Sequence, residues 1–303
     1  MKKNLLPHLA LLGTNIFFAI NFTAVKYLID NQFTTAFGLN YVRILVTAIL
    51  LWTIYLFSPK KERINKIHYK RFVICSLLGI VINQLLFIKG LSLTYSIHAS
   101  LLMLTTPIFI VVISAMILKE KLSFVRLFGL LLGAGGATVL ILGRKNQMSA
   151  MDVILGDIFI VINAICYSYY FVLVKPLMKR YSPITVIRML FSIGAILALP
   201  VCWMDFQQIP WFSFNPSAIF AISLVVIGGT FLAYLFNLYG IKHLGPSISG
   251  SYIYTQPFFA AIIAMLVLHE AIDLYKIIAA ILIFTGVFLS NKSKNNVQDQ
   301  SEN

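Results

Sequence analysis

Apolar residues fall along the chain in long runs that short polar connections separate. Each run is close to the roughly 20 residues that a helix needs to cross the hydrocarbon core of a bilayer. The alternating polarity of a membrane barrel is absent, so the sequence predicts an all-α integral membrane protein. The runs predict ten transmembrane helices, with these bounds: 7–29, 36–57, 72–90, 99–118, 123–142, 154–174, 184–204, 217–240, 247–268 and 272–290.

The fourth and ninth runs are copies of one another, LLMLTTPIFIVVISAMILKE (101–120) and SYIYTQPFFAAIIAMLVLHE (251–270). A constant offset of 150 residues aligns three pairs: Thr105 with Thr255, Pro107 with Pro257, and Glu120 with Glu270. Each half has five predicted helices, an odd number, so the second half enters the membrane from the opposite side. Two inverted repeats are typical of transporters whose halves exchange inward-open and outward-open shapes.

The repeat divides the chain into three parts. Residues 1–143 form the predicted first repeat and residues 152–290 the second. The polar segment 291–303 is predicted to be a disordered cytoplasmic tail, because it has too few apolar residues to bury.

The charge of the chain is strongly positive, at +14, although charged residues make up just 11% of it. Most basic residues lie in short connections on one side of the predicted bundle, the longest being 58–71. This asymmetry predicts a protein of the cytoplasmic membrane with both termini in the cytoplasm. It argues against nucleic acid as a partner, because no basic domain with interleaved aromatic residues is present.

The three cysteines are far apart, so they predict neither a disulfide framework nor a metal site, and no cofactor motif is visible. An intramembrane enzyme would need paired carboxylates, a nucleophile with its base, or a metal cluster within the runs. The middle third of every run lacks Asp and Glu. An enzyme is therefore disfavoured, whereas a scaffold or receptor without transport activity stays open as an alternative.

Several short motifs recur at equivalent places in the two halves. They are FAINFTAVK (18–26), YVR (41–43), Gly90, Pro107 and LKEKL (118–122) in the first half, and Lys175, Arg188, Gly240, Pro257 and LHEAI (268–272) in the second. On these residues the chain resembles the drug/metabolite transporter superfamily, and within it the EamA-type members with two five-helix repeats. The resemblance covers about 7–290.

This resemblance implies that a small molecule is transported by alternating access through a central cavity between the halves, and it favours export over uptake. Members of the family move very different solutes, so the resemblance leaves the substrate open. The expected partners are a small-molecule substrate and the lipid bilayer. Whether the chain acts alone or as a homodimer also stays open.

Polar and aromatic residues share helix faces in the predicted helices 1, 3, 6, 8 and 9, and predict a midplane substrate site with aromatic walls. Residues near the two prolines extend this site. The predicted substrate-binding residues are Asn15, Phe18, Phe22, Asn83, Gln84, Thr106, Pro107, Asn163, Tyr167, Tyr234, Asn237, Tyr252, Gln256 and Pro257. The alternative for each of them is a packing role, because buried amides also hold membrane helices together.

Pro107 and Pro257 lie near the middle of their predicted helices. Each removes one backbone hydrogen bond and frees a carbonyl near Met103 or Ile253. Prolines at matching places in both halves of a transporter indicate a binding site. A kink that serves helix packing alone is the alternative.

Four charged residues are predicted to act in gating or in bracing the helices: Arg43, Arg188, Glu120 and Glu270. The arginines lie deeper in the membrane and suggest a functional role, although each could instead brace its half of the protein. The carboxylates lie at helix ends, where capping or anchoring a loop is the simpler interpretation.

Overall fold

The computed structural model describes residues 2–57, 62–93, 102–119, 124–142 and 151–259, together with parts of 262–289. All regular structure in these residues is helical. The helices are α1 (Lys2–Asp30), α2 (Ala36–Phe57), α3 (Tyr69–Ser76, then Leu77–Val81 and Ile82–Leu93), α4 (Thr106–Leu118), α5 (Phe124–Leu142), α6 (Met151–Met178), α7 (Pro183–Gln207), α8 (Pro216–Ser223, then Leu224–Leu232 and Ala233–Leu244) and α9 (Pro246–Ser251, then Tyr252–Thr255 and 256–259).

Six stretches in the described residues are long and apolar enough to cross a membrane: Leu5–Ile29, Ala36–Phe57, Lys66–Leu91, Ile154–Met178, Pro183–Gln207 and Pro216–Leu244. Two shorter apolar helices, Thr106–Leu118 and Phe124–Gly136, follow the third of them. Large apolar side chains such as Ile196 and Phe220 point away from the protein. Such a surface suits contact with lipid, and the prediction of an all-α membrane protein is confirmed in this respect.

The helices of the two predicted repeats pack against each other in pairs. Helix α1 packs on α8, α3 on α6, α2 on α7, and α4 on α9. Each pair joins a helix of one repeat to a helix of the other. A buried core runs through this contact and includes Tyr41, Phe72, Tyr170, Phe191 and Tyr234.

Helices α3 and α8 each contain a π-helical segment, in which the backbone hydrogen bonds span five residues and not four. The segments are Leu77–Val81 and Leu224–Leu232, and they include Gly79 and Gly229, which the offset of 150 residues pairs. The ring of Tyr170 in α6 lies against Gly79, and the amide of Asn21 in α1 lies against Gly229. Tyr170 and Asn21 are also equivalent, because Phe22 aligns with Phe171.

A second set of contacts has the same form. Leu11 of α1 packs on Gly240 of α8, and Ile160 of α6 packs on Gly90 of α3. These four positions are again equivalent between the repeats. The glycines allow the paired helices to approach closely, because a methyl group in their place would overlap the opposing side chain.

The two prolines differ from the prediction in one respect, since each lies just after an irregular segment and not inside a regular α-helix. Pro107 lies in the first turn of α4, after a turn at Leu104 and Thr105. Pro257 lies in the first turn of the helical residues 256–259, after the 3-10 segment Tyr252–Thr255. Proline is tolerated at such positions because the first amides of a helix have no partner within it. The sequence pattern of a proline in an apolar run does not distinguish a kink from a new helix start.

The two breaks are stabilised by the same hydrogen bond. The Thr105 hydroxyl donates to the Leu102 carbonyl at 2.5 Å, and the Thr255 hydroxyl donates to the Tyr252 carbonyl at 2.6 Å. In each break the threonine hydroxyl therefore binds the carbonyl three residues before it, and at Leu102 this bond adds to the one from the Thr105 backbone N–H. Glu120, Glu270 and the predicted tail 291–303 lie outside the described residues, as does the side chain of Phe22.

Candidate functional site

A cavity of about 70 Å³ lies at the contact between the two repeats. This volume has room for about five water molecules, at roughly 10–15 Å³ for each. In this shape the cavity is much smaller than the roughly 300–1,000 Å³ of typical small-molecule sites, so most metabolites would require the surrounding helices to separate. The lining residues are Phe18, Asn21, Arg43, Asn83, Gln84, Phe87, Met103, Asn163, Tyr167, Tyr234, Ile253 and Gln256.

Gln84 and Tyr234 both belong to this lining and are hydrogen-bonded to each other. The Tyr234 hydroxyl donates to the Gly79 carbonyl at 3.1 Å, and it accepts a hydrogen bond of 3.0 Å from the Gln84 side-chain amide. The two residues are separated by 150 positions, the offset that relates the repeats. A residue that contacts its own repeat equivalent lies where the two repeats meet.

Two further amides are held by neighbours across helices. The Asn163 amide nitrogen donates to the Asn83 carbonyl at 2.5 Å, which joins α6 to α3. The Asn237 amide nitrogen donates to the Tyr167 hydroxyl at 2.9 Å, which joins α8 to α6. The side-chain oxygens of Gln84, Asn163 and Asn237 are buried and have no hydrogen-bond partner among the described residues. Buried polar atoms are normally paired, so these oxygens call for an explanation.

Arg43 is the one charged residue in the described lining of the cavity. It is 4% exposed, and its Nε donates to the Thr230 hydroxyl at 2.9 Å. The Thr230 hydroxyl in turn donates to the Val225 carbonyl at 2.8 Å, within the π-helical segment of α8. This segment therefore places the acceptor that orients the guanidinium.

Arg188, the repeat equivalent of Arg43, occupies a different environment. Its guanidinium carbon lies 3.5 Å from the centre of the Tyr55 ring and 4.5 Å from that of the Trp52 ring. The Trp52 indole donates to the Ser192 hydroxyl at 2.8 Å, and that hydroxyl donates to the Arg188 carbonyl. Stacking between a cation and aromatic faces holds α7 on α2, which suits the bracing role.

The structure brings seven of the predicted substrate-binding residues to the cavity: Phe18, Asn83, Gln84, Asn163, Tyr167, Tyr234 and Gln256. Others form contacts next to it. Asn15 donates to the Leu11 carbonyl, the Thr106 carbonyl accepts from Ser168, and the Tyr252 hydroxyl is hydrogen-bonded to His8. Pro107 and Pro257 lie in the helix starts described above, beside the breaks that place Met103 and Ile253 in the lining.

Sequence reasoning missed the lining roles of Asn21, Phe87, Met103 and Ile253, and assigned Arg43 to gating or bracing. Met103 and Ile253 were named in the prediction only for their backbone carbonyls, not for their side chains. The repeat offset relates the two residues to each other. Asn21 lies one turn after Phe18 in α1, so the helical spacing of that face gave a usable signal.

A group of polar contacts joins the repeats at the side that the basic residues predict to be cytoplasmic. Glu62 accepts a hydrogen bond of 2.9 Å from the Ser182 amide, at the start of α7. The Tyr181 hydroxyl accepts from the Asn65 amide at 3.1 Å and lies 2.8 Å from His68 Nδ1. We call these five residues the polar latch. Burial disfavours the Glu62 carboxylate, but hydrogen bonds from Ser182 and Thr185 and the charge of Lys242 lower its pKa overall.

On the opposite side aromatic residues join the repeats. The rings of Phe33 and Phe214 meet edge to face with centres 5.5 Å apart, and Tyr27 and Trp211 pack on them. Phe33 lies between α1 and α2, whereas Phe214 precedes α8, so this contact also joins the two repeats. The two ends of the repeat interface therefore differ in chemistry.

Comparison with known families agrees with this arrangement. A model of the EamA-like transporter family matches residues 5–142 and, a second time, residues 154–292. The chain belongs to the EamA-like transporter family. The family predicted from the sequence motifs is thereby confirmed, and membership identifies the chain as a multi-pass membrane transporter.

Relatives of this EamA-like transporter extend over nearly its whole length. An uncharacterized transporter of Archaeoglobus fulgidus is 23% identical over 95% of this chain and 98% of its own. The uncharacterized transporter YyaM of Bacillus subtilis is also 23% identical, over 99% of each chain. A WAT1-related protein of Arabidopsis thaliana is 22% identical over 93% of this chain and 84% of its own. These relatives are named as transporters or by family, and none of the names states a solute.

A solved crystal structure has the same fold. It superposes with a TM-score of 0.76 at 18% identity and covers 94% of this EamA-like transporter and 96% of its own chain. At this identity the likeness concerns the fold alone.

Proposed function

We propose that this protein is a secondary transporter that moves a small solute across the cytoplasmic membrane by alternating access. Its ten helices would form two inverted five-helix repeats, with both termini in the cytoplasm and the solute bound in the cavity between them. The hydrogen bond between Gln84 and Tyr234 is the main observation that supports the proposal. It puts equivalent residues of both repeats in one cavity, as expected where two halves share a central site.

The reciprocal glycine contacts support the inverted arrangement. Tyr170 covers Gly79 while Asn21 covers Gly229, so exchanging the two repeats exchanges one contact for the other. An approximate two-fold axis produces such reciprocity. Since each repeat contributes five predicted helices, that axis would lie in the plane of the membrane.

The distribution of contacts supports a state closed towards the cytoplasm. The polar latch joins the repeats on that side. Asn83, Gln84 and Phe87 line the cavity from the second half of α3, which by the predicted orientation lies towards the outside. Opening the latch while the aromatic residues Phe33 and Phe214 stay together would expose the cavity to the cytoplasm, and the reverse would expose it to the outside.

Export is proposed as the direction by analogy with the family. The described lining has no Asp or Glu, so a carboxylate proton relay within the cavity is not part of the proposal. Facilitated diffusion down a solute gradient satisfies the same geometry.

Two measurements test this function. Reporter fusions placed after each predicted helix should show that the two halves have opposite orientations, and equal orientations would contradict the inverted repeat. Purified protein in proteoliposomes should give saturable flux of at least one member of a pooled set of amino acids, nucleosides, organic acids and amphipathic cations. Flux that no solute can saturate would favour the scaffold or receptor alternative.

A further inference from the structure

We infer that Arg43 is the anion-binding residue of the cavity, and that the solute is a small organic anion or zwitterion that also carries N–H donors. This inference rests on the proposed function, because it names the class of solute that the transporter would bind. It also separates Arg43 from Arg188, which the repeat makes equivalent in sequence. Three observations lead to it, concerning the charge, the unpaired oxygens and the repeat.

The charge of Arg43 has no counter-ion among the described residues that line the cavity. Its Nε donates to the hydroxyl of Thr230, which is a neutral group. The described residues provide no hydrogen-bond acceptor for its terminal nitrogens. The described lining contains no carboxylate. A buried charge without a partner is costly, and a guanidinium presents its terminal nitrogens in a geometry that fits a carboxylate. The missing negative charge is therefore expected to come from the solute.

Two unpaired oxygens indicate what else the solute carries. The Tyr234 hydroxyl gives its single proton to the Gly79 carbonyl, so it must accept from Gln84, and this fixes the orientation of the Gln84 amide. The Asn163 amide nitrogen donates to a backbone carbonyl, which fixes its orientation too. The remaining oxygens of Gln84 and Asn163 are buried acceptors without a partner among the described residues. Once the surrounding helices separate to admit a solute, acceptors of this kind match its N–H donors.

The acceptors and the cation belong to the lining of one small cavity. Gln84, Asn163 and Arg43 all line it, as does Tyr234, which is hydrogen-bonded to Gln84. A compact molecule with a carboxylate near its N–H group would therefore meet both. Phe18, Phe87, Met103 and Ile253 form apolar walls that would accept an aliphatic or aromatic portion.

The repeat explains why Arg188 does not form a second anion site. The residue equivalent to Thr230 in the first repeat is Ile80, which is fully buried and has no hydroxyl. A guanidinium directed towards Ile80 would meet an apolar side chain. Arg188 instead stacks on Tyr55 and Trp52, outside the described lining. The difference between threonine in one repeat and isoleucine in the other thus accounts for the different environments of the two arginines.

Binding to the purified protein in detergent tests this inference without requiring transport. The probes are two series in which the skeleton is constant and the charge changes: glycine, acetate and methylamine, and leucine, 4-methylpentanoate and isopentylamine. We expect the carboxylate-bearing probes to raise the thermal unfolding midpoint, the zwitterion most, and the amines to have no effect. Stabilisation by the amines, or by none of the carboxylates, would overturn the inference.

Arg43→Gln and Arg188→Gln form the matched pair of variants. Arg43→Gln should weaken binding of the carboxylates by about tenfold or more, since a hydrogen-bonded charge pair is lost. Arg188→Gln should lower the unfolding midpoint and leave the preference between zwitterion and amine unchanged. If Arg43→Gln folds poorly, Gln84→Leu provides a second variant, which should reduce the advantage of leucine over 4-methylpentanoate. An unchanged preference in both cavity variants would contradict the assignment.

Flux measurements distinguish a failure of this inference from a failure of the proposed function. If carboxylates bind in an Arg43-dependent manner but none is transported, the anion site stands and the transporter mechanism fails. If an amine is transported and Arg43→Gln leaves that flux unchanged, the mechanism stands and the anion site fails.

Discussion

Gln84 donates a hydrogen bond to the hydroxyl of Tyr234, the residue that occupies the same place in the second repeat. Two residues that are equivalent in the sequence repeat are therefore in direct contact. The pair differs in chemistry, with an amide on one side and a phenol on the other, so the two halves of the cavity are alike in backbone but not in the groups that they present. A movement that exchanges the shapes of the halves would act directly on this hydrogen bond.

Tyr234→Phe removes the hydroxyl that joins α8 to α3. The Gly79 carbonyl and the Gln84 amide then lose their partner in a buried place, which costs about 1–3 kcal/mol for each unsatisfied group. We expect a lower thermal unfolding midpoint in detergent and reduced flux in proteoliposomes. Tyr169→Phe is the control, because Tyr169 is exposed. Equal effects of the two substitutions would contradict the role given to Tyr234.

Gly79→Ala and Gly229→Ala should both destabilise the protein. The added methyl group overlaps the Tyr170 ring in the first case and the Asn21 amide in the second, and overpacking of this kind costs about 1–3 kcal/mol. Gly135→Ala is the matched control, because an added Cβ there meets no described atom within 4 Å. Thermal unfolding of the three variants provides the measurement. A Gly79→Ala variant as stable as Gly135→Ala would show that the helices do not approach as closely as described.

Much of this architecture follows from the sequence, for physical reasons that can be identified. Apolar runs long enough to cross a bilayer predict where α1, α2 and α7 lie, because lipid imposes one length on every spanning helix. Equivalence at a constant offset predicts which residues correspond, but it does not predict which of them touch. The contact of Tyr170 with Gly79 depends on how helices of different repeats pack, and no spacing within one helix records it.

The different environments of Arg43 and Arg188 likewise could not be predicted from the sequence. Their positions in the sequence are equivalent, and the prediction treated them alike. Their partners come from distant helices, with Thr230 for one and Tyr55 and Trp52 for the other. A burial pattern along one helix cannot supply those partners.

Pro257→Ala is expected to lower transport more than it lowers the yield of folded protein. Contrary to the prediction, the Ile253 carbonyl is not free, because it accepts the backbone N–H of Gln256. Alanine restores an amide that proline lacks, so a regular α-helix could form across the 3-10 segment and shift Ile253, a residue that lines the cavity. Flux per folded molecule in proteoliposomes measures the effect. Pro200→Ala is the control, since Pro200 lies within α7 and is exposed. Equal losses of transport and folded yield for Pro257→Ala would favour a packing role alone.

Glu62→Gln should weaken the polar latch in a pH-dependent way. The folded protein lowers the pKa of Glu62 below its ordinary value of 4.5, although burial alone would raise it, because Ser182 and Thr185 donate hydrogen bonds to the carboxylate. A lowered pKa means that this carboxylate stabilises the folded state at pH values above 4.5, and that the contribution is lost as the pH falls through the folded-state pKa.

The stability difference between wild type and Glu62→Gln is therefore expected to be largest above pH 4.5 and to shrink towards zero under more acidic conditions. Unfolding midpoints of both proteins across that range measure it, with Asp205→Asn, at the far end of α7, as the control for a general loss of charge. Cysteine labelling at Ser182, as Ser182→Cys with and without Glu62→Gln, reports opening of the latch directly, because an open latch exposes the start of α7 to the aqueous reagent. Labelling that Glu62→Gln does not accelerate would show that the Glu62 carboxylate does not hold the two repeats together.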